Sequence, residues 1–169
     1  RFRARPADFD FACPQGTFCR QFISSQDQVQ APILAGWAGS GSDLWVLTDG
    51  CHAWHHDGLA WTDEELGKCS SGDHRLVGAI WGARGDEVWA ALTPGIGFLR
   101  WNGGRWRNNA QLDSSDKVIW SIHGTAADDI WALGATDKSI DAAALLFRYQ
   151  GQSADAAWYG FWPAMGNLI

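Results

Sequence analysis

Tryptophan recurs along this chain at a nearly fixed interval. Trp45, Trp89 and Trp131 lie 44 and 42 residues apart. The residues around them repeat as well, reading WAGSGSDLWVL in the first case, WGARGDEVWAA in the second and HGTAADDIWAL in the third. A period of about 40–45 residues indicates one supersecondary unit that is copied along the chain and packs on its neighbours. The period therefore restricts the chain to repeat architectures.

Four columns of similar residues appear when the three units are aligned on these tryptophans. They are an aromatic residue or histidine eight positions upstream, an acidic residue two positions upstream, and a glycine and a closing tryptophan downstream. In chain order the members are Trp37, Trp81 and His123; Asp43, Glu87 and Asp129; Gly58, Gly103 and Gly151; and Trp61, Trp106 and Trp158. The whole unit repeats, and not the tryptophan alone.

Each unit divides into four short strands, as the second unit shows most clearly. Its apolar runs GAIWG, EVWAAL, GFLRW and RWRN are separated by the turn-like sequences ARGD, TPGIG and NGG. The dipeptide Asn102-Gly103 is typical of a tight hairpin, because glycine accepts the positive φ that such a turn needs. Four antiparallel strands in every repeat of about 40–45 residues are typical of a β-propeller blade. The chain is therefore predicted to be all-β, with four-stranded antiparallel blades.

We expect the recurring tryptophans to fill the space between consecutive blades. A single blade is a small sheet with two apolar faces, and it can cover both only by stacking on its neighbours. Each indole ring can bury on the order of 150–250 Å² of surface, which suits such an interface. The predicted core of the repeat comprises Trp37, Trp45, Trp61, Trp81, Trp89, Trp106, Trp131 and Trp158.

Three whole blades and one half blade are predicted. The whole blades span about 28–72, 73–115 and 116–165. Residues 1–27 contain the stretch FDFACPQGTFCRQF, which is interpreted as the last two strands of a preceding blade. Propellers typically use about four to eight blades, so the ring is expected to be incomplete in this chain. Three alternatives stay open: the chain is part of a longer propeller, two copies complete one ring, or the blades form an open stack.

The four cysteines are interpreted as two disulfides. Cys13, Cys19, Cys51 and Cys69 lack the C-x-x-C spacing of zinc and redox sites. Four cysteines permit three pairings, of which Cys13–Cys19 and Cys51–Cys69 are preferred because each closes a local loop. Disulfides persist in oxidising compartments, so an extracellular, cell-surface or periplasmic location is expected.

Charge and hydropathy exclude several classes of partner. The formal net charge is −6, and the chain has no run of lysine or arginine, which disfavours nucleic acid and anionic membranes. No apolar stretch approaches the ~20 residues that a transmembrane helix needs. No cofactor is expected.

The densest polar cluster is the stretch CHAWHHDG, residues 51–58. His52 and His56 fall on one face of an extended strand, and with Asp57 they could bind a transition metal. An exposed hairpin with incidental histidines is the favoured alternative. The acidic column is expected to cap turn amides, and no G-x-S-x-G nucleophile motif is present, so catalysis is not expected.

The candidate ligand-binding residues lie in the hairpins and in the third unit. Trp101, Tyr149 and Tyr159 are aromatic residues that could stack on sugars or contact a protein, although core packing is favoured for most of them. Asp137 and Lys138 belong to the inserted stretch TDKSID, and binding surfaces usually lie on such loops.

The pattern W-G-x-x-x-D-(D/E)-h-W-A, followed by an aromatic-x-(D/N/Q)-G-x-x-W hairpin, resembles the Trp-rich β-propeller repeats of secreted or surface-attached bacterial proteins. The resemblance covers residues 36 to about 162 and implies a propeller fold. A non-catalytic exported binding or assembly module is therefore expected, with a protein partner or self-association that completes a ring. The alternatives are a lectin-like carbohydrate-binding propeller and an accessory domain or fragment of an extracellular enzyme.

Overall fold

The structure is a computed structural model that describes residues 32–49, 51–66, 77–93, 97–110, 117–136, 144–151 and 158–161. Within these residues there are twelve strands and no helix, and hence no helix long and apolar enough to span a membrane. In chain order the strands are β1 Ile33–Ser40, β2 Asp43–Thr48, β3 His52–His56, β4 Trp61–Glu65, β5 Val77–Arg84, β6 Glu87–Thr93, β7 Gly97–Trp101, β8 Trp106–Ala110, β9 Val118–Ala126, β10 Asp129–Ala135, β11 Ala144–Gln150 and β12 Trp158–Phe161.

The strands form three antiparallel sheets of four strands, each of which follows the order of the chain. We call them the first blade (β1–β4), the second blade (β5–β8) and the third blade (β9–β12). The inner strands β1, β5 and β9 lie side by side across the blades, so the first blade packs on the second and the second on the third. The predicted all-β fold of four-stranded antiparallel blades is confirmed, and the described blades do not close a ring. The half blade predicted for residues 1–27 lies outside the described residues, and the exact blade boundaries stay a prediction.

The hairpin turns form where the sequence predicts them. Gly58 and Gly103 have φ of 87° and 81°, in the left-handed region that glycine enters without strain. In the turn after β3, Oδ1 of Asp57 accepts hydrogen bonds from the backbone N–H groups of Leu59 and Ala60, both at 2.9 Å. The side chain of Asp57 therefore holds this turn closed.

The W-G pair of the repeat is explained by contacts between neighbouring blades. Trp37 on β1 lies over Gly82 on β5, where a Cβ atom would come within 2.7 Å of Cη2 of Trp37. Trp81 lies in the same way over Gly124 on β9, where a Cβ atom would come within 2.6 Å of its Cη2. Each glycine thus leaves the space that the indole ring of the preceding blade occupies.

Most of the predicted core tryptophans lie between or within the blades. The described residues form two hydrophobic cores, one between the first and second blades and one between the second and third. Trp45 and Trp89 are fully buried in them, and Trp61 is 6% exposed. Trp37, Trp81 and Trp106 are partly buried and pack against these cores. Trp131 is only half-buried, and none of the described sheets covers it, so its predicted place between two blades stays a prediction. It lies on the face of the third blade that is turned away from the second blade. The side chain of Trp158 lies outside the description.

Candidate functional site

The face of the third blade that is turned away from the second blade is the candidate site, and we call it the open face. Ile130 and Ala132 of β10 pack in the core shared with the second blade. Because side chains alternate along a strand, Trp131 and Leu133 point to the opposite side. Leu146 and Arg148 on β11 pair with these two residues in the antiparallel ladder and extend the same face. His123 on β9 pairs with Trp131 and completes it.

The corresponding faces of the other two blades are covered. In the first blade Trp45, Leu47 and Ala53 occupy the same register positions as Trp131, Leu133 and Leu146, and all three are 0% exposed. In the second blade the equivalent residues are also 0% exposed; they are Trp89, Ala91 and Phe98. Leu133, by contrast, is 50% exposed, and Leu146 is half-buried. The same apolar surface is buried in the first and second blades and is open to solvent in the third blade.

An exposed indole lies on β9, the inner strand of the third blade. The pairing of β10 with β9 shifts between Leu133, opposite Ser121, and Gly134, opposite Ile119. Trp120 is therefore the extra residue of a β-bulge, a feature that often redirects a side chain. It is 56% exposed, an unusual state for so large an apolar side chain.

One edge of the open face carries a charged group that is bound to Trp131. The guanidinium carbon of Arg148 lies 4.7 Å from the centroid of the Trp131 ring, a cation–π distance. Arg148 also donates to Oδ1 of Asp129 at 3.0 Å, and the Thr125 hydroxyl donates to Oδ2 at 2.9 Å. The hydrogen bond from Thr125, followed by that from Arg148, lowers the pKa of Asp129. The cation is thus fixed in position by an ionised carboxylate.

A similar arrangement of an acid, a basic side chain and a tryptophan occurs in all three blades. Arg100 lies over Trp89 at 5.3 Å and donates to Glu87, and these residues match Arg148, Trp131 and Asp129. In the first blade the residues are Asp43, His55 and Trp45, with His55 stacked on Trp45 at 4.1 Å and 2.9 Å from Asp43. The expectation that the acidic column caps turn amides is therefore wrong. Its carboxylates instead hold a cation or imidazole from the third strand of each blade.

A cleft of about 760 Å³ opens between the first and second blades. Its lining includes the carboxylates of Asp43, Asp57, Glu64 and Asp86, together with Trp101. A hydrogen bond from Arg84 lowers the pKa of Asp86, which keeps that carboxyl ionised. Because carboxylates line the cleft, it suits neutral or cationic ligands better than anions.

The histidine cluster has structural partners. Nδ1 of His52 lies 2.8 Å from Oδ2 of Asp63, and Nδ1 of His56 accepts a hydrogen bond from the N–H of Gly58 at 3.1 Å. Asp57 is engaged by the turn amides described above. Among the described residues no group of three or more His, Cys, Asp and Glu side chains is placed to hold a metal ion. The favoured interpretation of an exposed hairpin with incidental histidines is wrong in one respect, because His56 is only 2% exposed and the strand is largely buried. The metal-binding interpretation stays a prediction.

Two of the predicted ligand-binding aromatics belong to the core. Trp101 and Tyr149 are only 4% and 3% exposed, so they cannot offer their ring faces to a ligand. Trp101 packs 5.2 Å from Trp45, and Tyr149 packs 4.5 Å from Trp89, between centroids. The side chain of Tyr159 lies outside the description, as do Asp137 and Lys138, and these three stay predictions.

Cys51 is disulfide-bonded. Its partner lies outside the described residues, as do Cys13, Cys19 and Cys69. The predicted pairing therefore stays a prediction.

Sequence reasoning missed Leu133 and Leu146 on the open face, and it also missed the exposed Trp120 on β9. Leu133 and Leu146 have the residue type of core positions, and they align with residues that are core in the first and second blades. The available signal was position alone, because none of the described sheets follows the third blade.

No family model and no curated protein matches this sequence. Among solved structures the chain is similar to "YCF48 bound to D1 peptide", with 13% sequence identity and a TM-score of 0.45. The match covers 77% of this chain and 55% of that chain, so this chain spans little more than half the length of that protein. The resemblance to Trp-rich propeller repeats of bacterial proteins stays a prediction.

Proposed function

We propose that this chain is a non-catalytic binding or assembly module of an exported protein, and that its partner is a protein which docks on the open face. The observation that carries the proposal is the contrast within one register position: Leu47 is 0% exposed in the first blade, whereas Leu133 is 50% exposed in the third. Contiguous exposed apolar surface of this kind marks interaction sites in soluble proteins.

The chemistry of the open face favours a protein over a carbohydrate. Carbohydrate sites present an aromatic ring whose face is free and whose surroundings offer hydrogen bonds. Here the guanidinium of Arg148 lies over Trp131, and the neighbours Leu133 and Leu146 are aliphatic. Leu133 and Leu146 offer no hydrogen bonds to sugar hydroxyls, whereas they match the apolar side chains of a protein surface.

The disulfide at Cys51 supports the export part of the proposal. Stable disulfides form in oxidising compartments and are rare where thiols are kept reduced. An extracellular, cell-surface or periplasmic location is therefore part of the proposal.

The proposal is tested with the photo-crosslinking residue p-benzoylphenylalanine at position 133. A matched control carries it at position 59, because Leu59 is also strongly exposed, at 67%, but lies in a turn of the first blade. We expect a covalent adduct with a protein from position 133 and none from position 59. The adduct partner, once purified, should bind Leu133→Asp at least about tenfold more weakly than wild type, since a charge buried at an apolar contact is costly. Equal labelling from both positions, or none from position 133, contradicts the proposal.

A second candidate function is carbohydrate binding in the cleft between the first and second blades. The observation that favours it is the lining of the cleft, in which Ser42, Thr62 and Asp86 can form hydrogen bonds with sugar hydroxyls. Titration with neutral oligosaccharides tests it by calorimetry. We expect Asp86→Asn to weaken binding several-fold, at about 1 kcal/mol for one hydrogen bond, and Leu133→Asp to leave it unchanged. Absence of any heat at millimolar sugar contradicts this candidate.

A further inference from the structure

The two covered interfaces inside the chain show what kind of surface fits the open face. In each interface the preceding blade supplies a tryptophan from its second strand, and the following blade covers it with side chains from three strands. The covering residues occupy the same five positions in the second and third blades: Ile80, Val88, Ala90, Leu99 and Trp101; and Ile122, Ile130, Ala132, Phe147 and Tyr149. The cover is a defined pattern on a sheet, not merely an apolar surface.

The aromatic residue at or near the end of the third strand contacts the buried tryptophan directly. Trp101 meets Trp45 edge-on at 5.2 Å, and Tyr149 lies 4.5 Å from Trp89. Trp131 occupies the position of Trp45 and Trp89 in the third blade. A sheet that covers the open face in the same orientation would place an aromatic ring against Trp131.

The inner strand of the covering blade must leave space for the ring that lies over it. His123 reduces the space that is required on the open face. A Cβ atom at Gly82 would lie 2.7–2.8 Å from Cη2, Cζ2 and Cζ3 of Trp37, so only glycine fits beneath that indole. These three atoms belong to the six-membered ring of indole, which imidazole lacks. His123 stands at the position of Trp37 in the third blade. Its smaller ring leaves room for a methyl group on the covering strand.

We propose that the open face binds another four-stranded antiparallel sheet of the same repeat type, from outside residues 1–169. The sheet carries glycine or alanine opposite His123 and an aromatic residue against Trp131. It packs on the third blade as the third blade packs on the second. The proposal rests on the proposed function and names the partner of that surface.

The first blade of a second copy does not offer this surface. Its Ala38 would fit opposite His123, but its third strand would not fit opposite Trp131. Because His55 faces the second blade, Trp54 and His56 point to the other side, where the contact would have to form. Both are already buried, at 6% and 2% exposed, and His56 replaces the large aromatic residue.

The test extends the full chain with a copy of its own second repeat, residues 77–115, placed after residue 169. Residues 162–169 then link the copy to β12 and match, to within one residue, the length of residues 111–117 between β8 and β9. Hydroxyl-radical footprinting reports the exposure of Trp131 and Leu133. We expect both to lose their reactivity, with Trp131 falling to the rate of buried Trp45. A matched control with Val88→Asp in the added copy alone should leave both as reactive as in the unextended chain.

A pair of variants tests the requirement at the inner strand. Gly82→Ala in the added copy alone should leave Trp131 protected, because the methyl group lies opposite His123. The same change combined with His123→Trp should restore the reactivity of Trp131, because the indole ring then meets the methyl group. Equal protection in the two variants overturns this part of the proposal.

Hydrogen exchange across the added copy shows whether it has folded. An added copy without exchange protection, or a protected copy beside a Trp131 that stays reactive, overturns the proposal. A dimer of the unextended chain in sedimentation, with Leu133 protected, also overturns it, because a second copy would then be the occupant. A protein crosslinked at position 133 supports the proposed function in each of these cases, so failure of this inference and failure of the proposed function are distinguishable.

Discussion

The outer faces of the second and third blades have the same local structure but differ in what covers them. In both, a carboxylate holds an arginine over the tryptophan of the second strand, Arg100 over Trp89 and Arg148 over Trp131. Trp89 is nevertheless 0% exposed, whereas Trp131 is half-buried. Since residue type and register are equivalent, the difference arises from the neighbouring sheet. The role of a repeat position therefore depends on its place in the stack.

The largest expected effect on the free energy of unfolding comes from replacing the covered tryptophan, Trp89. Trp89→Ala should lower the free energy of unfolding by about 3–5 kcal/mol, because it leaves a cavity between the second and third blades. Trp131→Ala should lower it by only about 1–2 kcal/mol, since part of that ring is already in water. Urea unfolding followed by circular dichroism measures both. Equal losses would break the comparison, because they would mean that the two rings are equally packed.

A smaller effect is expected at the glycine beneath Trp37. Gly82→Ala should lower the free energy of unfolding by about 1–3 kcal/mol, because the added methyl group overlaps the indole ring. Gly41→Ala is the matched control: an added Cβ there meets nothing within 4 Å, so stability should stay within about 0.5 kcal/mol of wild type. Thermal unfolding of the two variants checks the pair. A Gly82→Ala protein as stable as Gly41→Ala would show that the blades can separate at no cost.

The strands of this molecule were predictable from its sequence, because each rests on local signals. Period-2 apolar runs and glycines at tight turns act within a few residues, as Gly58 and Gly103 show with their positive φ. The alignment of three copies strengthened every such signal. Contacts between blades were harder to predict. Trp37 lies over Gly82 of the next blade, and this contact depends on how two sheets stack.

The open face could not be identified from residue types. Leu133 has the same character as Leu47 and stands in the same column, so the pattern predicts core for both. The acidic column was misinterpreted for a related reason. Asp129 lies two residues before Trp131 in sequence, but its partner Arg148 is on the next strand, and only the strand register brings them together.

The outer side of the first blade is a third face to compare, and the pH dependence of stability reports whether it is buried. His56 is 2% exposed there, and burial lowers its pKa, an effect that Asp57 opposes. The folded protein therefore binds the proton less readily than the unfolded chain, so stability is complete above the ordinary histidine pKa of about 6.5 and falls as the pH drops below it. His56→Gln should flatten this fall when Tm is measured between pH 8 and about pH 5. An unchanged slope in the variant would mean that this face does not exclude water.

The smallest expected effect concerns the carboxylate on the open face. The hydrogen bonds from Thr125 and Arg148 lower the pKa of Asp129, so its contribution to stability is present above the ordinary aspartate pKa of about 4 and is lost as the pH falls through the lower folded value. Asp129→Asn should therefore lower Tm slightly at neutral pH and match wild type at the acidic end when Tm is measured from pH 7 down to about pH 2. The effect should shrink further in high salt, since exposed charges are screened. A difference in Tm that stays constant across this pH range would show that Asp129 acts through packing alone, and that the acid, cation and tryptophan of the open face are not electrostatically linked.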